Sequence, residues 1–158
     1  MMTRSISILA ALLAGLLAAT GSLAQGVGID SPDPAMLAQR CVAHMEQIAD
    51  RATGAIGDAT QETIGRIARL DRAGASDEDI IAAGRRGTQA VANAAMAGSG
   101  RVTRVERHCV AVLTRLGADR ALIQRVRSAA EGFREDIGMA GRRGVGAIRD
   151  AVARAIRG

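Results

Sequence analysis

Apolar residues recur every three or four positions in three successive stretches, each about 40 residues long, which is the spacing of one face of a helix. The first stretch carries Leu37, Cys41, Met45, Ile48, Ala52, Ala55, Ile56, Ala59, Ile64, Ile67 and Leu70. The second has its most regular stripe late, at Val102, Val105, Cys109, Val112 and Leu116. The third runs through Leu122, Val126, Phe133, Ile137, Val145, Ile148, Val152 and Ile156. No comparable run alternates apolar and polar residues, so strands are not expected.

Punctuation between the stretches is sparse and well placed. The only prolines are Pro32 and Pro34. Asp33 suits an N-cap and Pro34 the first helical position. Gly74 and Gly117 are placed as C-caps. Ser76-Asp77-Glu78-Asp79 puts a capping hydroxyl and three acids where the helix dipole favours them, and Asp119 opens the third stretch. The predicted helices run from 34 to about 73, from 77 to about 116 and from 119 to about 156. Each is about 60 Å long. Two short turns make neighbours antiparallel, so the expected fold is all-α, an up-down-up antiparallel three-helix bundle of long helices. Gly98-Ser99-Gly100 is the weak point; a break there would give four helices.

A short repeat recurs in the three stretches. Residues 51–59 (Arg-Ala-Thr-Gly-Ala-Ile-Gly-Asp-Ala) match 143–151 (Arg-Gly-Val-Gly-Ala-Ile-Arg-Asp-Ala), and 86–94 is a looser copy. The last two copies also share upstream residues: Glu78-Asp79-Ile80 with Gly84-Arg85-Arg86-Gly87, and Glu135-Asp136-Ile137 with Gly141-Arg142-Arg143-Gly144. Hairpin pairing would set the copies at similar heights. One reading is a duplicated ligand site built from arginine pairs. The preferred one is a unit of helix packing with solvated arginines, because small residues at helical spacing serve close contact.

The N-terminus changes the compartment. Arg4 is the only charge before Asp30, an apolar run spans Ile6–Ala19, and Ser22 and Ala24 are small residues at −3 and −1 of a cleavage point. Residues 1–24 are therefore expected to be a cleaved signal peptide; the run is short of the ~20 residues a membrane span needs. Residues 25–33 read as a linker and 34–158 as one helical domain, exported to the periplasm or the extracellular space.

Composition makes the core unusual. There is no Trp, no Tyr and one Phe, Phe133, and Gly occurs 19 times. Small side chains fill little volume, so helices must approach closely. Charge is uneven: residues 25–76 hold five Arg and seven acids, whereas 119–158 hold nine Arg and five acids. Export and the lack of aromatics for base stacking argue against nucleic acid. Arg142, Arg143, Arg149, Arg154 and Arg157 fall opposite an apolar side of the third helix, a pattern that can lie on an anionic membrane surface. Any bundle helix is amphipathic in this way, and no Trp is present to anchor it.

Two cysteines in an exported chain suggest one disulfide. Cys41 and Cys109 are symmetric about the turn near residue 75, and both sit on apolar stripes, so they are expected to face each other. His44 and His108 lie nearby, and Cys41, His44, His108 and Cys109 form a conceivable zinc set. Adjacent residues on a helix point about 100° apart, so His108 and Cys109 cannot easily share an ion; the bridge is preferred and no metal or cofactor is expected. Catalytic constellations are missing: no Lys for a Schiff base, no Tyr acid, and no Ser in a Gly-x-Ser-x-Gly elbow. The expected function is a non-enzymatic structural or protein-interaction module of the cell envelope or extracellular space, with an unknown protein partner or with itself.

Overall fold

The computed structural model describes residues 33–157. The expected leader and residues 25–32 of the linker lie outside them. Helix α1 spans Pro34–Arg72, α2 Asp77–Arg115 and α3 Arg120–Arg157. Each boundary falls within about one residue of its sequence expectation. All three helices pack against one another, and the described residues contain no strand.

Local chemistry sets the ends. The Asp33 carboxylate accepts from the Ala35 N–H at 2.9 Å. Both turns are built alike. Gly74 and Gly117 adopt φ of 67° and 69°, which a side chain would resist. The Ala75 N–H donates to the Leu70 carbonyl and the Ala118 N–H to the Leu113 carbonyl, both at 3.0 Å. This is the Schellman closure, which satisfies carbonyls left over at a helix end. The next helix starts at once: Ser76 Oγ accepts from the Asp79 N–H at 3.3 Å and Asp119 Oδ1 from the Leu122 N–H at 2.6 Å.

Helix α2 is unbroken, so the four-helix alternative is corrected. Gly98 is buried in α2, and a Cβ placed there would overlap Ala52 of α1. The glycine makes room for a neighbouring helix. It does not end its own.

The largest buried side chains follow an 11-residue step. They are Met45, Ile56 and Ile67 on α1; Ile80, Val91, Val102 and Leu113 on α2; and Val126, Ile137 and Ile148 on α3, none more than 2% exposed. Eleven residues in three turns lie slightly above the 3.6 of a straight helix, so the buried stripe drifts gently to the right instead of forming the left-handed seam of a seven-residue repeat. A second 11-residue series lies beside it: Cys41, Ala52 and Thr63 on α1, facing Cys109, Gly98 and Gly87 on α2. Layers of large residues thus alternate with layers of small ones. Each fully buried Val, Leu or Ile contributes about 1.5–3 kcal/mol of transfer free energy, and the small layers let the backbones come close enough for those few large side chains to fill the core. The single aromatic, Phe133, is only half-buried at the edge.

Two polar residues, Thr60 and Thr63, are buried. Their hydroxyls donate to the Ile56 and Ala59 carbonyls, each at 2.7 Å. No buried side-chain polar atom among the described residues lacks a partner. None of the described helices is long and apolar enough to cross a membrane.

Candidate functional site

Cys41 and Cys109 come together at the end of the α1–α2 pair far from its turn. Their Cα atoms are 6.2 Å apart and their sulfurs are at disulfide distance, 2.08 Å. His44 and His108 flank them on the surface, in a shallow depression that also holds Arg40 and Arg104. With the sulfurs directed at each other, Cys41, His44, His108 and Cys109 do not form a ligand set. Among the described residues no three His, Cys, Asp or Glu side chains gather as metal ligands. Two guanidinium groups beside the depression also oppose a cation there.

The five arginines singled out on α3, Arg142, Arg143, Arg149, Arg154 and Arg157, are all exposed. The apolar residues opposite them are not free. Ile137, Gly141, Gly144 and Ile148 are buried in the bundle, and Val152 is partly buried. Only Ile156, at 37%, keeps substantial exposure. The amphipathic pattern of α3 is therefore spent on the core, and what it offers to solvent is charge.

Of the glycines in the repeat and its shared upstream residues, Gly84, Gly87, Gly141 and Gly144 lie at helix contacts, whereas Gly54, Gly57 and Gly146 have nothing within 4 Å of an added Cβ. A Cβ on Gly144 would lie 2.6 Å from Thr60 Oγ1, 3.4 Å from Val91 Cγ1 and 3.5 Å from Ile56 Cγ2, so all three helices meet there. Gly84 would meet Val152 at 2.5 Å and Gly141 would meet Ala95 at 3.3 Å.

Two shallow grooves lie between α2 and α3, and they correspond residue by residue. One is lined on α2 by Ile81, Gly84, Arg85 and Thr88, and on α3 by Ile148, Arg149, Val152 and Ala153. The other is lined on α3 by Gly138, Gly141, Arg142 and Val145, each 57 positions after its counterpart, and on α2 by Val91, Ala92, Ala95 and Met96, each 57 positions before its counterpart. Exchanging α2 with α3 thus carries one groove onto the other, as a local two-fold axis between the helices would. Arg85 and Arg142 are equivalent, and Arg149 lines both grooves. The volumes are about 430 and 570 Å³.

The charge around these grooves has one sign. The residues that line them include no Asp or Glu. Their charged members are Arg85, Arg142 and Arg149, every one exposed. The one ion pair among the described residues, Arg134 with Glu106, lies outside them. The α3 arginines and the repeated Gly-Arg-Arg-Gly were visible in sequence. That Arg85 and the 63%-exposed Met96 form a wall facing the α3 arginines was not, because the two walls meet only through the antiparallel register. No family model, curated protein or solved structure matches the chain.

Proposed function

We propose that the protein is an exported, non-enzymatic interaction module of the periplasm or extracellular space, and that it binds an acidic protein surface along its α2–α3 face. The observation that carries this reading is the carboxylate-free, arginine-rimmed pair of grooves with small apolar floors. Such a surface selects partners by charge and admits a close-packed helix. The grooves are too open to enclose a small substrate, and they contain no nucleophile paired with a base, which favours binding over catalysis. Export is supported by the leader pattern at 1–24 and by the Cys41–Cys109 pair, which an oxidising compartment would keep joined. Mass spectrometry of the exported product should give an N-terminus at Gln25; an intact Met1 terminus would overturn export. Cross-linking in envelope extract should trap a partner with wild-type protein but not with Arg85→Glu/Arg142→Glu. Identical products from both proteins would overturn the assigned face.

A second reading is adsorption to an anionic membrane, supported by the exposure of the five α3 arginines. With the apolar face of α3 buried, only electrostatic attraction would hold the protein there, and salt should weaken it. Co-sedimentation with anionic liposomes at low salt tests it, and its absence removes this reading.

A further inference from the structure

We infer that the occupant of the α2–α3 groove is a second copy of this chain, presenting the outer face of its α1. This rests on the reading of the groove as a protein-binding face and names the partner.

On α1, Glu46, Asp50, Gly54, Asp58 and Glu62 are spaced four residues apart, and all five are exposed. On a helix this row turns about 40° per step. Gly54 therefore lies at the crest, with Glu46 and Asp50 on one flank and Asp58 and Glu62 on the other. Nothing lies within 4 Å of a Cβ built on Gly54 or Gly57. Between Cys41 and Gly65 the only arginine is Arg51. None of the four acids is in an ion pair, since the one pair among the described residues is Arg134 with Glu106.

The groove is its complement. Arg85 lines one wall and Arg142 the other. Gly141 packs on Ala95, which puts Arg142 nine or so residues along α2 from Arg85, about 14 Å. Asp50 and Asp58 are eight residues apart, about 12 Å. The order of the acid row is the same read from either end, and the groove is the same with α2 and α3 exchanged. Two copies meeting groove to groove would instead oppose arginine to arginine, which charge forbids.

Because all three helices pack together, the outer face of α1 and the α2–α3 groove lie on opposite sides of one bundle. The contact is therefore heterologous: each copy gives one face and receives another, and assembly continues beyond two copies unless a ring closes.

The test uses the full chain expressed with its own leader, purified, and followed by sedimentation velocity at low salt. Wild-type protein should show species larger than a dimer that grow with concentration and dissolve at high salt. A groove variant, Arg85→Gln/Arg142→Gln, and an α1 variant, Asp50→Asn/Asp58→Asn, should each associate at least about tenfold more weakly, a difference of ~1.4 kcal/mol. Both should keep wild-type helicity by circular dichroism. Mixed together, they should give a one-to-one dimer and nothing larger, since one variant keeps only the α1 face and the other only the groove. Wild-type protein that stays monomeric overturns the inference. So does a mixture that stays monomeric while wild type assembles. If monomeric wild type still cross-links to an envelope protein through Arg85 and Arg142, the second-copy occupant fails and the interaction module stands; if it cross-links to nothing, both fail.

Discussion

Gly98 of α2 and Ala52 of α1 are packed so closely that a methyl group on Gly98 would overlap the Ala52 Cβ. The pair is one rung of a ladder. Eleven residues toward the α1–α2 turn, Gly87 stands in the same relation to Thr63; eleven away from it, Cys109 stands opposite Cys41. The cysteine pair thus closes a line of small-residue contacts at its open end, where the two helices have no connecting turn to hold them.

The first prediction follows from that rung. Gly98→Ala should destabilise the protein by about 1–3 kcal/mol through overpacking. Ala52→Gly alone also loses stability, through helix propensity. The double variant moves the methyl group from one helix to the other, so it should recover a good part of the Gly98→Ala loss. Thermal unfolding of the four proteins measures the coupling. Strict additivity would show that the two backbones do not meet at this rung.

Much of this ladder was legible beforehand, and some was not. Gly74, Gly117, Ser76 and Asp119 marked the turns because each has a specific backbone role there. Cys41 and Cys109 could be paired because hairpin geometry fixes partners by position. Thr60 and Thr63 are not legible as core because hydroxyls read as polar, yet each satisfies itself on a carbonyl of its own helix and so tolerates burial. Leu113 is buried where Val112 and Leu116 were expected, and these two are only partly buried. The expected stripe stepped by seven between Val102, Cys109 and Leu116, whereas burial steps by eleven from Val102 to Leu113. Gly98 looked like a helix breaker because its neighbour Ala52 is invisible until the helices are laid side by side. The arginines of the candidate site were seen one helix at a time for the same reason.

The second prediction concerns the cysteines. Their separation is 68 residues, and a bridge closing such a loop stabilises by about 4 kcal/mol in the chain-entropy model. Cys41→Ser/Cys109→Ser, or reduction of wild type, should lower Tm by about 10–20 °C with helicity retained at low temperature. Thiol counting on the denatured, non-reduced protein should find no free thiol and no stoichiometric zinc. Two free thiols would refute the bridge.

A third prediction separates charge from core. Arg142→Glu/Arg143→Glu changes two exposed side chains that have no ion pair among the described residues, so stability should shift by less than about 1 kcal/mol. Ile137→Ala, five and six residues away on the same helix but fully buried, should cost about 2–5 kcal/mol. Denaturant melts compare them directly. Comparable losses would mean that the arginine face takes part in folding.

The fourth prediction is that one substitution, glycine to alanine in a helix interior, changes sign with position. Gly54 and Gly57 lie in the middle of α1, exposed, and a Cβ on either would meet nothing within 4 Å. Glycine there costs helix stability by about 1 kcal/mol relative to alanine, because its backbone loses more freedom on folding. Gly54→Ala/Gly57→Ala should therefore stabilise the isolated bundle by roughly 1–2 kcal/mol. Gly87 and Gly144 lie equally deep within their helices, and the same propensity gain is available to them. At Gly87 the new methyl group would overlap Thr63, and at Gly144 it would lie 2.6 Å from Thr60 Oγ1. Both threonine hydroxyls are committed to carbonyls of α1, so turning aside breaks a buried hydrogen bond, and backing away opens the layer of large residues next to it. Gly87→Ala and Gly144→Ala should each lose about 1–3 kcal/mol despite the better propensity. Melts run in dilute solution, where association is minimal, give the signs. If all four sites respond alike, propensity alone governs these helices and the close approach at Thr60 and Thr63 is absent.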